Sequence, residues 1–238
     1  MTDLEMVQKN PLNILLIKNP TKEIQMVVVT NEGSNIQFIE SPDKDVQIKA
    51  LSSSKFDSDD IIKYIKNPDM DVKSTAVSID GFAIQYIKDP SEELQLLAVK
   101  ENAYALQFIK DPSKKVQLAA VSNDGDVIEY IKNPDKDVQI AAVQESGYAI
   151  RWIVHPDDDI CVMALQQNGF AISCFGEPSD ALKLIAVQQD GNVIRCIENP
   201  SVEIQMIAVK QSINFITHLF NPHPDVLEYV KQELLKNL

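Results

Sequence analysis

A proline recurs along this chain with a fixed step. It stands at Pro20, Pro42, Pro68, Pro90, Pro112, Pro134, Pro156, Pro178, Pro200 and Pro222, and every interval is 22 residues except the 26 between Pro42 and Pro68. The apolar positions repeat with it, most plainly in PSKKVQLAAVSNDGDVIEYIKN (112–133) and PDKDVQIAAVQESGYAIRWIVH (134–155). A unit this short cannot bury its own apolar face, so successive units must stack on one another. That constraint outweighs the length of 238 residues, which alone would suit one large domain or two ordinary ones.

Within a unit the pattern is helical. An aliphatic residue follows the proline by four positions (Val72, Leu94, Val116, Val138), and a small aliphatic pair such as Ala98–Val99 or Ala142–Val143 follows by eight and nine. That spacing places them on one face of an α-helix. Asn, Asp or Ser usually precedes the proline and Ser, Thr or Asp usually follows it, and either position can supply the N-cap. Gly33, Gly81, Gly125, Gly147, Gly169 and Gly191 stand where the helix should end, as a positive-φ C-cap would. Ala103 and Ile213 break this column and predict two deviant turns. A second helix of about two turns follows, with core pairs such as Ile84–Ile87, Leu106–Ile109 and Ile150–Ile153, and the Asn-Pro or Asp-Pro step stops it.

The fold these patterns predict is all-α: a right-handed α-solenoid of about nine 22-residue helix–turn–helix repeats in a single domain, 1–238. Residues 1–19 read as an N-terminal cap or partial repeat and 20–221 as the repeats. Residues 222–238 read as a C-terminal capping helix that turns Val226, Val230 and Leu234 inward. The four extra residues of the long interval fall in Ser52 to Asp60 and predict an enlarged turn.

The motif NP-D-x-D-V-Q-I-A-A-V resembles leucine-rich-variant repeats, which share an Asp-Pro opening, a V-x-x-A-V helix and a short second helix. The A-V-x-x-x-G-x-A-I run resembles a bacterial and large-virus repeat family of unknown function, and the whole is more distantly similar to HEAT repeats of about twice the length. The resemblance covers Pro20 to about Pro222. It implies a binding scaffold and no particular activity. The leucine-rich-variant pattern carries Arg where this chain usually has Gln.

Composition narrows the function. A formal charge of −13 with only two arginines, Arg151 and Arg195, argues against direct nucleic-acid binding, which needs cations for phosphates. It argues equally against docking on an anionic membrane. No apolar run reaches the roughly 18 residues of a membrane span, and the start MTDLEMVQKNPLNILLIKNP lacks the pattern of a secretory signal. Cys161, Cys174 and Cys196 form no disulfide framework. The expected location is the cytoplasm.

Five features bear on function. A glutamine column (Gln25, Gln47, Gln95, Gln117, Gln139, Gln205) reads as a structural ladder rather than a recognition stripe. An aromatic column (Phe38, Tyr64, Tyr86, Phe108, Tyr130, Trp152) reads as packing between repeats rather than a base-stacking platform. It continues as Cys174, Cys196 and His218, which lie one per repeat, too far apart to share a metal whose ligands must be within ~2.3 Å of it. The outward face of the second helix carries Phe82, Tyr104, Tyr148 and Phe170, then Arg151 and Arg195, then Lys88, Lys110 and Lys132 near the helix end. These nine are the expected partner-binding residues. In HEAT-like solenoids this face is commonly concave, and it would suit an acidic peptide. Finally, no GxSxG, P-loop, HExxH or paired CxxC occurs. The expected function is a non-enzymatic protein-interaction scaffold without cofactor or metal. The alternative is an acidic nucleic-acid mimic, of the kind phage-type inhibitors use to sequester a host defence protein. A HEAT-like DNA-repair enzyme is disfavoured by the charge.

Overall fold

The computed structural model describes residues 1–53 and 59–236. Its contacts gather into two compact units, Met1–Asn123 and Asp124–Leu238. The N-terminal unit alternates α-helices with 3-10 helices (η). In order these are α1 Asp3–Lys9, η1 Pro11–Leu16, α2 Lys22–Asn31, η2 Gly33–Phe38, α3 Lys44–Ser52, η3 Asp59–Tyr64, α4 Met70–Ile79, η4 Gly81–Tyr86, α5 Glu92–Glu101, η5 Ala103–Phe108 and α6 Lys114–Asn123. The C-terminal unit continues with η6 Gly125–Tyr130, α7 Lys136–Glu145, η7 Gly147–Trp152, α8 Asp158–Gln167, η8 Gly169–Cys174, α9 Asp180–Gln189, η9 Gly191–Cys196, α10 Val202–Gln211, η10 Ile213–His218 and α11 Pro224–Lys236. Within each unit every α-helix packs on the α-helix before and after it, and the 3-10 helices stack likewise. The fold is an all-α solenoid of sequentially stacked helix pairs, with no strand among the described residues.

The residue after the proline starts each α-helix. Ser91 accepts the Leu94 N–H, and Thr21, Asp69, Ser179 and Ser201 do the same for their own helices. The residue before the proline is therefore not the cap. It takes the left-handed conformation instead, with φ between 48° and 54° at Asn19, Asn67, Asp89, Asp111, Asn133, His155 and Asn199. Asn, Asp and His are the non-glycine residues most at ease there, so His155 is a turn residue rather than a capping one. Leu94, Ala98 and Val99 are fully buried, as their counterparts are in most repeats. Each buried Leu or Val of this kind contributes ~1.5–3 kcal/mol by leaving water, and each Ala less. A ten-residue helix would be marginal alone, so this stacking is what holds it.

The glycines do not cap by positive φ; none has it. The α-helix ends on an extended residue, Asp80 (φ −147°, ψ 119°), whose carboxylate accepts the Phe82 N–H and opens the next 3-10 helix. What Gly81 permits is close approach: a Cβ added there would lie 2.5 Å from the Ala98 carbonyl of the next repeat, so that helix would have to shift. The turn at Ala103 is consequently ordinary, with Asn102 at φ −150°, ψ 112°, and the deviation expected there does not occur. Ile213 is accommodated because it packs against the closing cluster of Val209, Val226 and Val230.

The second helix is 3-10 rather than α. Its three residues per turn eclipse i and i+3, which turns Gly81, Ile84 and Ile87 to one side, all three buried. Residues 3–16 form a complete helix pair, not a partial one. Helix α11 buries Val226 and Val230 as predicted, but Leu234 is 51% exposed. Its cluster ends at Val230, one turn earlier. The enlarged turn expected at Ser52 to Asp60 falls largely outside the described residues.

Candidate interaction surface

The 3-10 helices other than η3 turn four positions toward solvent: the second, fifth and sixth residues and the second residue beyond the end. In the repeat of η4 these are Phe82, Gln85, Tyr86 and Lys88. The Asp80 cap and the eclipsed Gly81–Ile84–Ile87 row fix which side chains point out.

The second position of one repeat meets the fifth or sixth of the next. In the N-terminal unit the Phe82 ring stands edge-on to Phe108, with centroids 5.8 Å apart and planes at 88°. In the C-terminal unit Asp126 accepts from Arg151 at 2.7 Å, and Arg195 lies over Phe170 at 4.9 Å. Arg151 also covers Trp152 at 5.3 Å. Lys63 lies over Tyr64 and Tyr86 at 5.0 and 5.8 Å.

The nine predicted residues thus fall into two groups. Phe82, Phe170, Arg151 and Arg195 enter these diagonal contacts, while Tyr104 and Tyr148 are half-buried in the matching place. Lys88, Lys110 and Lys132 are exposed and form no ion pair with a described residue. The lysines that do reach the acids of the next helix sit at helix starts: Lys22 pairs with Asp45, Lys44 with Asp69 and Asp71, and Lys136 with Asp157 and Asp159.

Sequence reasoning undervalued the aromatic column. Tyr86 and Phe108 meet the preceding repeat at Lys63 and Phe82, yet Phe38, Tyr86, Phe108, Tyr130 and Trp152 each remain 37–42% exposed. The glutamine column, in contrast, is the ladder it was read to be. Each amide donates to the carbonyl of its own proline, from Gln25 to Pro20 at 3.0 Å through Gln205 to Pro200 at 3.0 Å. Cys161 stands in for one of these glutamines, its thiol facing Pro156 O at 3.9 Å. A second amide column went unnoticed. Gln167, Gln189 and Gln211 accept the N–H of Gly147, Gly169 and Gly191 in the preceding repeat at 2.6–3.0 Å. Its signal was available: an amide 11 residues after the proline.

In each unit a groove opens along this surface, at the same place in the repeat. The N-terminal groove is lined by Leu15, Leu16, Lys18, Gln25, Phe38 and Glu40 and their neighbours. The C-terminal one has Arg195, Glu198, Gln205, His218 and Phe220 in corresponding positions, with His223 beside them.

The chemistry available is that of contact. Burial pushes the Cys161 and Cys174 thiols up, with Asp158 adding to it at Cys161 and Arg151 offsetting part of it at Cys174, so neither is an activated nucleophile. Among the described residues no His, Cys, Asp and Glu group could hold a metal ion, and no helix is long and apolar enough to cross a membrane. No family model, curated protein or solved structure matches the chain, and the likeness to leucine-rich-variant and HEAT repeats therefore rests on its own repeat pattern.

Proposed function

We propose that this protein is a non-enzymatic scaffold that binds a protein partner along its 3-10 helices. The observation that carries the reading is the half-exposed ring in the same place on successive repeats as far as Trp152, with Arg151 over Trp152 in one unit and, in the other, Lys88 and Lys110 forming no ion pair with a described residue. Trp, Tyr and Arg are the side chains that dominate binding energy at interfaces, and a ring half fixed by packing has little entropy left to lose. The exposed lysines near the rings favour an acidic segment of the partner. Three free thiols are consistent with a cytoplasmic setting.

Nucleic-acid mimicry is the rival reading. It needs a continuous acidic face, whereas many carboxylates here open helices, and Asp45, Asp69, Asp71, Asp157 and Asp159 are paired with lysines of the neighbouring repeat. Capture from a cell lysate at low and high salt separates the two. The scaffold reading expects a partner that is lost when Tyr104→Ala and Lys110→Glu are combined in a variant that still folds. Undiminished capture by that variant sinks it. Recovery of nucleic-acid-binding proteins alone, released as salt rises, would establish mimicry instead.

A further inference from the structure

We infer that the groove bordered by the ends of η9 and η10 receives a single Asp or Glu side chain of a partner peptide, its carboxylate held by the Arg195 guanidinium and its apolar neighbour laid against Phe220. This rests on the 3-10 face being a binding surface and adds the chemistry of what that face takes at one place.

The two arginines of the chain stand at the same repeat position and meet different neighbours. Each is the fifth residue of its 3-10 helix and meets the second residue of the 3-10 helix before it. For Arg151 that residue is Asp126, whose carboxylate accepts from Nη2 at 2.7 Å and cancels the charge. For Arg195 it is Phe170, and the guanidinium lies over the ring at 4.9 Å. A ring attracts a cation through its quadrupole but carries no formal charge, so Arg195 is steadied without being neutralised. It is exposed and forms no ion pair with a described residue. A guanidinium held in place with its charge uncancelled is matched by a carboxylate, which it can bind bidentately.

The groove beside it is fixed in shape. It has a volume of about 620 Å³, with Arg195 and Glu198 from one repeat and His218, Phe220 and His223 from the next. Gln205, only 7% exposed, ties the two sides together: its Nε2 donates to Pro200 O at 3.0 Å and its Oε1 accepts the His223 N–H at 2.9 Å. Walls already held lose little entropy on binding. Each imidazole carries a ring N–H in either charge state, so His218 and His223 bring further donors to the groove that holds Arg195. Phe220 is fully exposed, at the place where η4, η5 and η6 are followed by Lys88, Lys110 and Lys132. An exposed ring beside a cation suits an apolar residue adjoining the carboxylate. The ligand is one carboxylate rather than an acidic run. Glu198 is exposed, Asp225 lies 3.5 Å from His223 Nδ1, and residues 124–238 carry eight cations against 17 carboxylates. Further negative charge is therefore repelled, and a basic flanking residue is favoured. The same surplus disfavours the phosphate chain of a nucleic acid.

The test uses a displayed library of random dodecapeptides selected on the full chain, with affinities then measured on variants. Arg195→Gln installs the residue that the chain carries in the same place at Gln85 and Gln107, and Phe220→Ala removes a fully exposed side chain, so the repeat tolerates each. Selected peptides should share an Asp or Glu next to an apolar residue, bind Arg195→Gln about tenfold more weakly, and lose several-fold on Phe220→Ala. Arg195→Lys keeps the charge without the fork and should recover only part of the loss. Replacing the shared carboxylate by its amide should cost as much on the wild type and little more on Arg195→Gln, because both changes break one contact. Peptides indifferent to Arg195→Gln but lost on Tyr104→Ala/Lys110→Glu overturn the groove and leave the scaffold reading standing. An empty selection, or peptides indifferent to every variant, counts against both. An oligothymidylate that binds the wild type and is lost on Arg195→Gln, while no peptide binds, would assign the groove to phosphate and overturn the peptide.

Discussion

Successive repeats are tied differently in the two units. In the N-terminal unit the ties are mostly charges at helix starts: Lys22 to Asp45, Lys44 to Asp69 and Asp71, and Lys115 back to Glu92, with one amide at its last helix, where Asn123 donates to Val99 O and Lys100 O. The C-terminal unit begins the same way, with Lys136 2.9 Å from both Asp157 and Asp159. From α8 onward the ties move to the other end of the helix and become amides. Gln167 clasps Gly147 N–H and Glu145 O, and Gln211 clasps Gly191 N–H and Val187 O. The sequence supplies the reason. Residues 1–123 carry 14 lysines against 18 carboxylates, while 124–238 carry eight cations against 17. Where lysine runs short, a charge ladder has nothing to run on, and a neutral donor–acceptor takes over. The two devices differ in kind. An exposed ion pair contributes little and is screened by salt. An amide that satisfies the orphan N–H of a helix start is insensitive to both salt and pH.

The largest effect should come from the glycine that the amide clasps. A Cβ at Gly147 would lie 2.5 Å from Ala164 O and 2.9 Å from Gln167 Oε1, so Gly147→Val both pushes the next helix away and breaks the clasp. We expect a loss of about 3 kcal/mol in urea unfolding, at the upper end for overpacking. Gly81→Val in the other unit meets Ala98 O at 2.5 Å but no clasping amide, and should lose less. Equal losses would mean that the amides add nothing. Next in size is Gln189→Ala, which strips the acceptor from Gly169 N–H. An unsatisfied buried donor costs ~1–3 kcal/mol, whereas Glu101→Ala, at the equivalent helix end in α5, should change stability by under about 0.5 kcal/mol.

How far this was legible in the sequence follows from the kind of interaction. The stacking and the inward positions were, because Leu94, Ala98 and Val99 recur with a helical step and burial is the one force that step reports. The glutamine ladder was, because an amide that recurs in most repeats, interrupted at Lys73, Cys161 and Lys183, points to a contact within the repeat. The role of glycine was misread. Gly81 looks like a C-cap from its place after a helix, but its constraint comes from Ala98 O, 17 residues away, and no local pattern contains that distance. The same holds for the binding face: Phe82 and Arg195 were named as individuals, yet their partners Phe108 and Phe170 lie one repeat away. The 3-10 form of the second helix was half visible, since Ile84 and Ile87 fit an eclipsed i, i+3 row as well as an α face.

His155 offers a smaller test. It holds φ 54° where Asn or Asp serves elsewhere. His155→Asn should be neutral to stabilising by a few tenths of a kcal/mol, and His155→Val should cost about 1–2 kcal/mol. A neutral valine variant would mean that the turn relaxes out of the left-handed region.

The gentlest perturbation, acid, should separate the two kinds of tie without any mutation. The Lys22 ammonium holds the Asp45 carboxyl below its usual value, the Val72 N–H with help from Lys44 does so for Asp69, and Lys136 does so for Asp159. A carboxylate depressed in the folded state stabilises above its unfolded pKa of about 4. That contribution fades as pH falls through the lower folded value, because the unfolded chain takes up the proton first. The partner lysines Lys22, Lys44 and Lys136 are raised, so their share is lost only on the alkaline side, above about pH 10. Hydrogen-exchange protection, corrected for intrinsic rate, should therefore decline across α2–α4 and α7–α8 as pH falls from about 5 to 3, while α9–α10, held by Gln189 and Gln211, keeps its own. High salt at neutral pH should reproduce the same order more weakly. If α9–α10 loosens first, the amide clasps are not what holds the later repeats together, and the contrast between the two units has another cause.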